Sequence, residues 1–168
     1  MFVLVTLAAL LAACTSSGQS SAHFHSPAAQ SSTTQAGAAS SNACTAQPPI
    51  GPLPAWAQSG FTPPDVAMPH VLGQSGNIVA ILWAPRDALH APPLQDRNNK
   101  ILWVSRLPLL DAVPLVIKAT LAGTTRATTV TLPQGPGPSI VDLPAPGCWT
   151  LQLSWSGYTD ELHLRYVS

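Results

Sequence analysis

The stretch that decides the fold is "CWTLQLSW" at residues 148–155, near the end of the chain. Large apolar side chains alternate there with polar ones, and side chains two residues apart lie on the same face of a strand. The apolar face consists of Trp149, Leu151, Leu153 and Trp155. After a predicted turn at residues 157–160 ("GYTD"), the alternation resumes with Leu162, Leu164 and Tyr166 on one side and Glu161, His163 and Arg165 on the other. The pattern predicts two strands, each with one buried face.

Further strand signals fill the preceding seventy residues. Residues 77–83 ("NIVAILW") and 100–106 ("KILWVSR") are apolar on both faces, which is typical of central strands. Residues 114–121 and 125–132 alternate more cleanly, and "AGT" at residues 122–124 can join them as a hairpin. We therefore expect an all-β fold, an immunoglobulin-like antiparallel β-sandwich of six or seven strands.

The N-terminus has a different character. Residues 1–14 ("MFVLVTLAALLAAC") form an uninterrupted apolar run. The run is shorter than the roughly 20 residues that a membrane-spanning helix needs, and its length suits a signal peptide. Leu11-Ala12-Ala13-Cys14 resembles the lipobox of bacterial lipoproteins. The resemblance implies that residues 1–13 are removed, and that Cys14 carries a lipid that anchors the chain to the extracytoplasmic face of the cell membrane.

The segment after Cys14 is predicted to be a tether. Residues 14–43 are dominated by Ser, Thr, Ala, Gln and Gly, and they carry no charged side chain. Such a segment cannot bury enough apolar area to offset the entropy of ordering, so we expect it to be disordered. Residues 44–168 would then form the β-sandwich domain, beginning with a proline-rich segment that wraps the sheets in extended form. Trp56 and Phe61 are the expected anchors of this wrap.

The charge content argues against nucleic-acid binding. Only 8% of the residues are charged, against roughly 25% in an ordinary soluble chain. Seven Lys and Arg balance seven Asp and Glu, so there is no basic field to attract a phosphate backbone. The sequence also provides no metal-ligand set and no motif that calls for a cofactor.

Cys148 allows several chemical interpretations: a nucleophile, a metal ligand, half of a disulfide or a small apolar group. If Cys14 is lipidated, Cys44 and Cys148 remain as a pair in an oxidising compartment, which favours a disulfide between them. A copper site would need nearby His and Met ligands, and a catalytic thiol would need a positioned His. Strand alternation directs Cys148 away from the Trp149 face, so its partner must arrive from outside the sandwich.

One long connection is the first candidate for a binding surface. It spans residues 84–100, between two predicted central strands, and long loops in compact domains are often functional. Its charged and titratable residues are Arg86, Asp87, His90, Asp96, Arg97 and Lys100. The alternative interpretation is a solvated loop. Four of the tryptophans, at 83, 103, 149 and 155, could form a sugar-stacking platform, but tryptophans on apolar strands are more often part of the core.

The C-terminal half also has a family resemblance. "NKILWVSR" and "GPSIVDLPAPGCWTLQLSWSGYTDELHLRY" resemble a group of exported bacterial lipoproteins of uncharacterised function, which share a Pro-Gly turn leading into a Cys-Trp strand. The resemblance identifies no activity. We expect a non-enzymatic, lipid-anchored module of the cell envelope, with a binding or structural role toward an envelope protein or glycan. The alternative is a carbohydrate-binding or hydrolytic envelope protein that uses residues 84–100.

Overall fold

The computed structural model describes residues 44, 48, 50–62, 66–83 and 88–168. The strands in these residues are β1 Ile50–Pro52, β2 Ala67–Leu72, β3 Ile78–Leu82, β4 Leu89–His90, β5 Lys100–Ser105, β6 Leu115–Leu121, β7 Ala127–Leu132, β8 Pro138–Ile140, β9 Gly147–Trp155 and β10 Tyr158–Val167. A short 3₁₀ helix covers Ala55–Ala57. Within these ranges no helix has the length and apolar character needed to cross a bilayer.

The strands form two five-stranded sheets. The first sheet has the order β1-β2-β3-β5-β8, and the second has the order β4-β10-β9-β6-β7. Neighbouring strands are antiparallel except for β4, which pairs parallel to the end of β10. The two sheets pack through one shared apolar core, so the predicted all-β sandwich is confirmed. The immunoglobulin-like strand order stays a prediction.

The predicted number of strands was wrong, since the described residues contain ten rather than six or seven. The additional strands are short or contain proline. β2 lies inside the proline-rich segment, and its Pro69 pairs with Ile50 of β1 just beyond the last β2–β3 pair, His70 with Ile81. Proline has no backbone N–H group to donate to a neighbouring strand. Pro69 lies beyond the last β2–β3 pair, so no donor is needed on that side. The parallel β4 has two residues, too few for a periodic signal.

The core between the sheets follows the predicted alternation. Trp149, Trp155 and Tyr166 are among its largest fully buried side chains. On β3, Ile78, Ala80 and Leu82 point into the same core. Both predicted central strands, β3 and β5, lie in the interior of the first sheet. Three tryptophans, at 103, 149 and 155, are core residues, as expected from their apolar neighbours.

A second apolar cluster covers the outer face of the first sheet. Val79 and Ile81 are fully buried there beneath Leu53 and Ala57 from the proline-rich segment. Trp56 and Phe61 pack against this cluster, together with Val66, Met68, Leu102 and Val104. Both expected anchors therefore contact this sheet, although part of the segment, Ala55–Ala57, is a 3₁₀ helix rather than extended chain. One face of β3 packs into the core between the sheets, and the other face is covered by the proline-rich segment. Both faces are buried, so both are apolar.

The hairpin between β9 and β10 turns one residue earlier than predicted. Ser156 and Gly157 both have positive φ, 46° and 83°, as a two-residue type I′ hairpin requires. Tyr158 is already paired with Trp155, so residues 158–160 belong to the strand rather than to the turn. The predicted hairpin of β6 and β7 is confirmed, with Gly123 at φ 74° in its loop.

Candidate functional site

The outer face of the second sheet is polar and uncovered, in contrast to the wrapped face of the first sheet. Strand register places Lys118 of β6 beside Gln152 of β9, and Gln152 beside Glu161 of β10. Neighbouring strands are about 4.8 Å apart, so the three side chains form one transverse row. They supply an ammonium group, an amide and a carboxylate on adjacent strands. Thr150 and Ser154 extend the polar face along β9.

Gln74 extends this row beyond β10. The residue lies in the turn between β2 and β3, and its backbone N–H donates to the carbonyl oxygen of Glu161 (2.8 Å). Its side-chain Nε2 donates to Oε1 of Glu161 (2.9 Å). The turn between β2 and β3 of the first sheet is therefore fixed to β10 of the second sheet, and Glu161 is held in a defined position.

A groove of about 460 Å³ opens at this row. Its lining consists of Gln74, Ser75, Lys118, Gln152, Leu153, Ser154, Thr159, Asp160 and Glu161. All of these except Leu153 carry hydrogen-bonding side chains, and the charged groups are of both signs. The groove can therefore satisfy a polar ligand that presents both donors and acceptors.

Asp160 belongs to the groove lining, and its carboxylate is held by backbone donors. Its carboxylate accepts hydrogen bonds from the backbone N–H groups of Ser75 (2.9 Å), Asn77 (3.1 Å) and Glu161 (2.8 Å). Gly73 lies so close to this carboxylate that an added Cβ would overlap with it. The side chain is 7% exposed, so these donors replace the water that an ionised carboxylate needs.

Beside the groove, His163 links a hydroxyl group to a carboxylate. Its Nδ1 shares a hydrogen bond with Oγ1 of Thr150 (3.1 Å), and its Nε2 lies 3.7 Å from Oε1 of Glu161. Nε2 is also 3.4 Å from Nε2 of Gln74. Thr150, His163 and Glu161 lie on the outer face of the second sheet, where His163 bridges the hydroxyl group of Thr150 and the carboxylate of Glu161.

The opposite end of the same face carries the disulfide. Cys44 and Cys148 are bonded, with their Cα atoms 5.7 Å apart. Cys148 is paired with Arg165, and Nη1 of Arg165 lies 3.5 Å from the carbonyl oxygen of Cys44. The predicted disulfide and the predicted outward direction of Cys148 are confirmed. A bonded cysteine offers no thiolate, so in this state Cys148 is neither a nucleophile nor a copper ligand.

The candidate binding residues of the loop at 84–100 do not form one cluster in the described part of the chain. Two of them, Arg86 and Asp87, lie outside the described residues. The backbone of His90 bonds to the buried Asn99 side chain in both directions (2.8 Å each). Asp96 and Arg97 are exposed and contact each other at 3.4 Å. The hydrogen bond from Arg97 lowers the pKa of Asp96, which favours the ionised form and opposes a role as general acid.

Lys100, the last member of that loop, belongs to an aromatic cluster on the first sheet. Its Nζ lies 5.0 Å from the centroid of the Trp83 ring. Phe61 stacks on Trp83 with centroids 6.2 Å apart and an interplanar angle of 22°. Trp83 is 43% exposed, unlike the three core tryptophans. Phe61 and Lys100 thus contact the Trp83 ring, and part of the ring remains exposed.

No protein-family model, curated protein or solved structure matches this chain. The predicted lipidation site Cys14 lies outside the described residues.

The groove as a whole has no signature in the sequence alone. The alternation in residues 148–166 placed Gln152 and Glu161 on the polar side of their strands, but it did not assign them a shared row. Lys118 joins them only through the register of β6 with β9. A signal was nevertheless present, because Lys118 is the one charged residue of the described strands β6 and β7.

Proposed function

We propose that this chain is an exported lipoprotein whose β-sandwich is a non-enzymatic binding module of the cell envelope. The lipobox resemblance at residues 11–14 supports a lipid on Cys14 and a location at the extracytoplasmic face of the membrane. The bond between Cys44 and Cys148 supports an oxidising compartment, because structural disulfides are rare in the cytosol. A tether of some thirty residues would span about 30 Å as a flexible coil.

The groove on the second sheet is the proposed binding surface. The observation that carries this proposal is the row of Lys118, Gln152 and Glu161, which is open to solvent and held in register by three strands. Sites built on strands are positioned more precisely than sites on loops. The first sheet has no comparable polar face among the described residues, since the proline-rich segment covers it.

The lining chemistry suits a glycan that carries amide and carboxylate groups. Gln74 and Gln152 can pair with acetamido groups and hydroxyls, and the Lys118 ammonium can pair with a carboxylate. Ser154 and Thr159 add hydroxyl groups at the groove. Cell-wall polymers at the extracytoplasmic side of a bacterial membrane offer this combination, and a tethered domain can reach them without leaving its anchor.

The test is cosedimentation of the full chain with purified, insoluble peptidoglycan. Lys118 and Lys100 are the only lysines in the chain and lie on different sheets, so each serves as the control for the other. Lys118→Ala should weaken binding about tenfold, as expected for loss of one charge-assisted hydrogen bond. Lys100→Ala should bind like the wild type. Absence of wild-type binding, or equal binding by all three proteins, would contradict the proposal.

The anchor is tested separately. The wild-type chain should fractionate with membranes and require detergent for release, whereas Cys14→Ser should appear in the soluble fraction. Inhibition of the lipoprotein signal peptidase should cause a larger, unprocessed form to accumulate. Identical size and fractionation of the two proteins under both conditions would show that Cys14 carries no lipid anchor.

A second candidate surface is the aromatic cluster at the end of β3. It is favoured by the exposure of Trp83, which leads directly into the predicted loop at residues 84–100. If glycan binding took place there, Lys100→Ala rather than Lys118→Ala would weaken it. The same pair of variants therefore separates the two surfaces.

A further inference from the structure

Strand β7 is an open edge of the second sheet. In the described part of the chain it pairs with β6 alone. The backbone N–H of Leu121 donates to the carbonyl oxygen of Arg126 (2.9 Å), which fixes the alternation of hydrogen bonds along this pair. Residues at even positions of β7 consequently bond to β6. The backbone groups of Ala127, Thr129 and Thr131 point away from β6, toward the open edge.

This edge lacks the features that usually prevent strand addition. Natural edge strands are interrupted by proline, charge or bulges, or are kept very short. The other edges follow this rule: β1 contains Pro52, β8 contains Pro138, and β4 has two residues. β7 has six residues, "ATTVTL", without charge, proline or glycine. Its six outward backbone donors and acceptors are a template for another strand.

We propose that a second copy of this chain pairs with β7 in antiparallel orientation, with the two-fold axis at Thr129. In this register Thr129 bonds to Thr129 of the second copy, and Ala127 bonds to Thr131 at each side. All six outward groups are then used, whereas a shift by two residues leaves some of them unpaired. The pairing joins the two second sheets into one continuous ten-stranded sheet.

The composition of the strand and of the chain fits a second copy. β7 is uncharged and the chain has a formal net charge of +0, so two copies do not repel each other strongly. Thr129 faces its own counterpart across the axis, and threonine pairs are favourable cross-strand neighbours. On the inner face of the sheet, Thr128 of each copy would lie opposite Val130 of the other copy. Val130 already packs against the core, so this contact adds to the apolar surface at the edge of the core.

The geometry is also compatible with two tethers on one membrane. The two-fold axis of an antiparallel edge pairing is perpendicular to the sheet, so both copies present the same face on the same side. Both Cys44–Cys148 bonds therefore lie on one side of the dimer. Anchored copies would in addition have a high local concentration, which favours a weak contact.

Cysteine cross-linking tests the register. In a Cys14→Ser background with the Cys44–Cys148 bond intact, Thr129→Cys should form a disulfide-linked dimer under mild oxidation. Opposed residues of a bonded pair have Cα atoms about 5.5 Å apart, within the range for a disulfide. Thr131→Cys is the matched control on the same strand face, since its counterpart lies four positions away and should not cross-link. Equal cross-linking of both variants, or of neither, would overturn the proposed register.

Sedimentation equilibrium of the full chain tests the association itself. The wild type should show a concentration-dependent dimer. Thr129→Lys places two ammonium groups at the axis and should raise the dissociation constant at least about tenfold. Thr120→Lys adds the same charge to the same face of the adjacent strand β6 and should leave association unchanged. A wild type that stays monomeric, including one whose β7 instead binds an unrelated peptide, would overturn the proposal.

Discussion

Cys44 and Cys148 are 104 residues apart in sequence, and their Cα atoms are 5.7 Å apart on the outer face of the second sheet. Six residues after Cys44, the chain has reached β1 at the edge of the first sheet. The proline-rich segment that begins at Cys44 is therefore attached to both sheets. The disulfide links it covalently to the second sheet, and apolar packing holds it on the first sheet. The bond also marks where the predicted tether ends, at the far end of the face that carries the groove.

Loss of this bond should destabilise the domain strongly. Cys148→Ala is expected to lower the free energy of unfolding by about 4 to 5 kcal/mol, the value that the chain-entropy model gives for a closed loop of about 100 residues. Urea denaturation of the full chain measures the change. Cys14→Ser, which also removes one cysteine, should have no effect on the midpoint. Coincident unfolding curves for the wild type and Cys148→Ala would show that the bond does not brace the fold.

Asp160 should contribute more to stability than a typical surface carboxylate. Asp160→Ala removes a buried carboxylate and leaves the partly buried backbone N–H groups of Ser75 and Asn77 without their acceptor. The expected loss is about 3 kcal/mol, because hydrogen bonds to a charged group contribute more than neutral ones. Asp96→Ala, at a fully exposed site, should leave the free energy of unfolding nearly unchanged. Equal effects of the two substitutions in thermal or urea unfolding would argue against the role assigned to Asp160.

Tyr166 should make stability fall at alkaline pH. Its hydroxyl donates to the carbonyl oxygen of Val141 (2.7 Å), and burial, with a smaller contribution from the Asp142 charge, raises its pKa far above the ordinary value. The unfolded chain loses this proton above about pH 10, whereas the folded chain keeps it. The contribution of Tyr166 to the free energy of unfolding is therefore fully present below that pH, and the free energy of unfolding falls as the pH rises further.

The measurement for Tyr166 is a spectroscopic titration of Tyr158→Phe, in which Tyr166 is the remaining tyrosine. Phenolate absorbance should appear together with loss of β-structure by circular dichroism. Phenolate formation in a protein that remains folded, near the pKa of a free tyrosine, would contradict the burial argument.

The strands with strong side-chain alternation could be predicted from sequence. Buried apolar residues such as Trp149 and Leu151 occur at every second position of β9, because only one face of this strand packs into the core. β2 was missed because Pro69 argues against a strand in isolation. Proline is acceptable at position 69 because the pairing of β2 with β3 begins only at the next residue, His70.

The groove could not be predicted because it depends on contacts between distant segments. Gln74 and Glu161 are 87 residues apart, and nothing near either residue specifies the other. The charged loop at residues 84–100 was favoured because it concentrates charge in sequence. In the structure its described members contact different partners, whereas Lys118, Gln152 and Glu161 share one row.

Lysine acetylation of the full chain with and without purified peptidoglycan, read out by mass spectrometry, tests most directly whether the groove is the binding surface. Lys118 and Lys100 are exposed and are the only lysines, so their modification rates report separately on the two sheets. We expect peptidoglycan to slow acetylation of Lys118 about tenfold, as for a site that is mostly occupied, while Lys100 reacts at its original rate. Protection of Lys100 with unchanged modification of Lys118, or protection of neither lysine, would contradict the assignment of the groove as the binding surface.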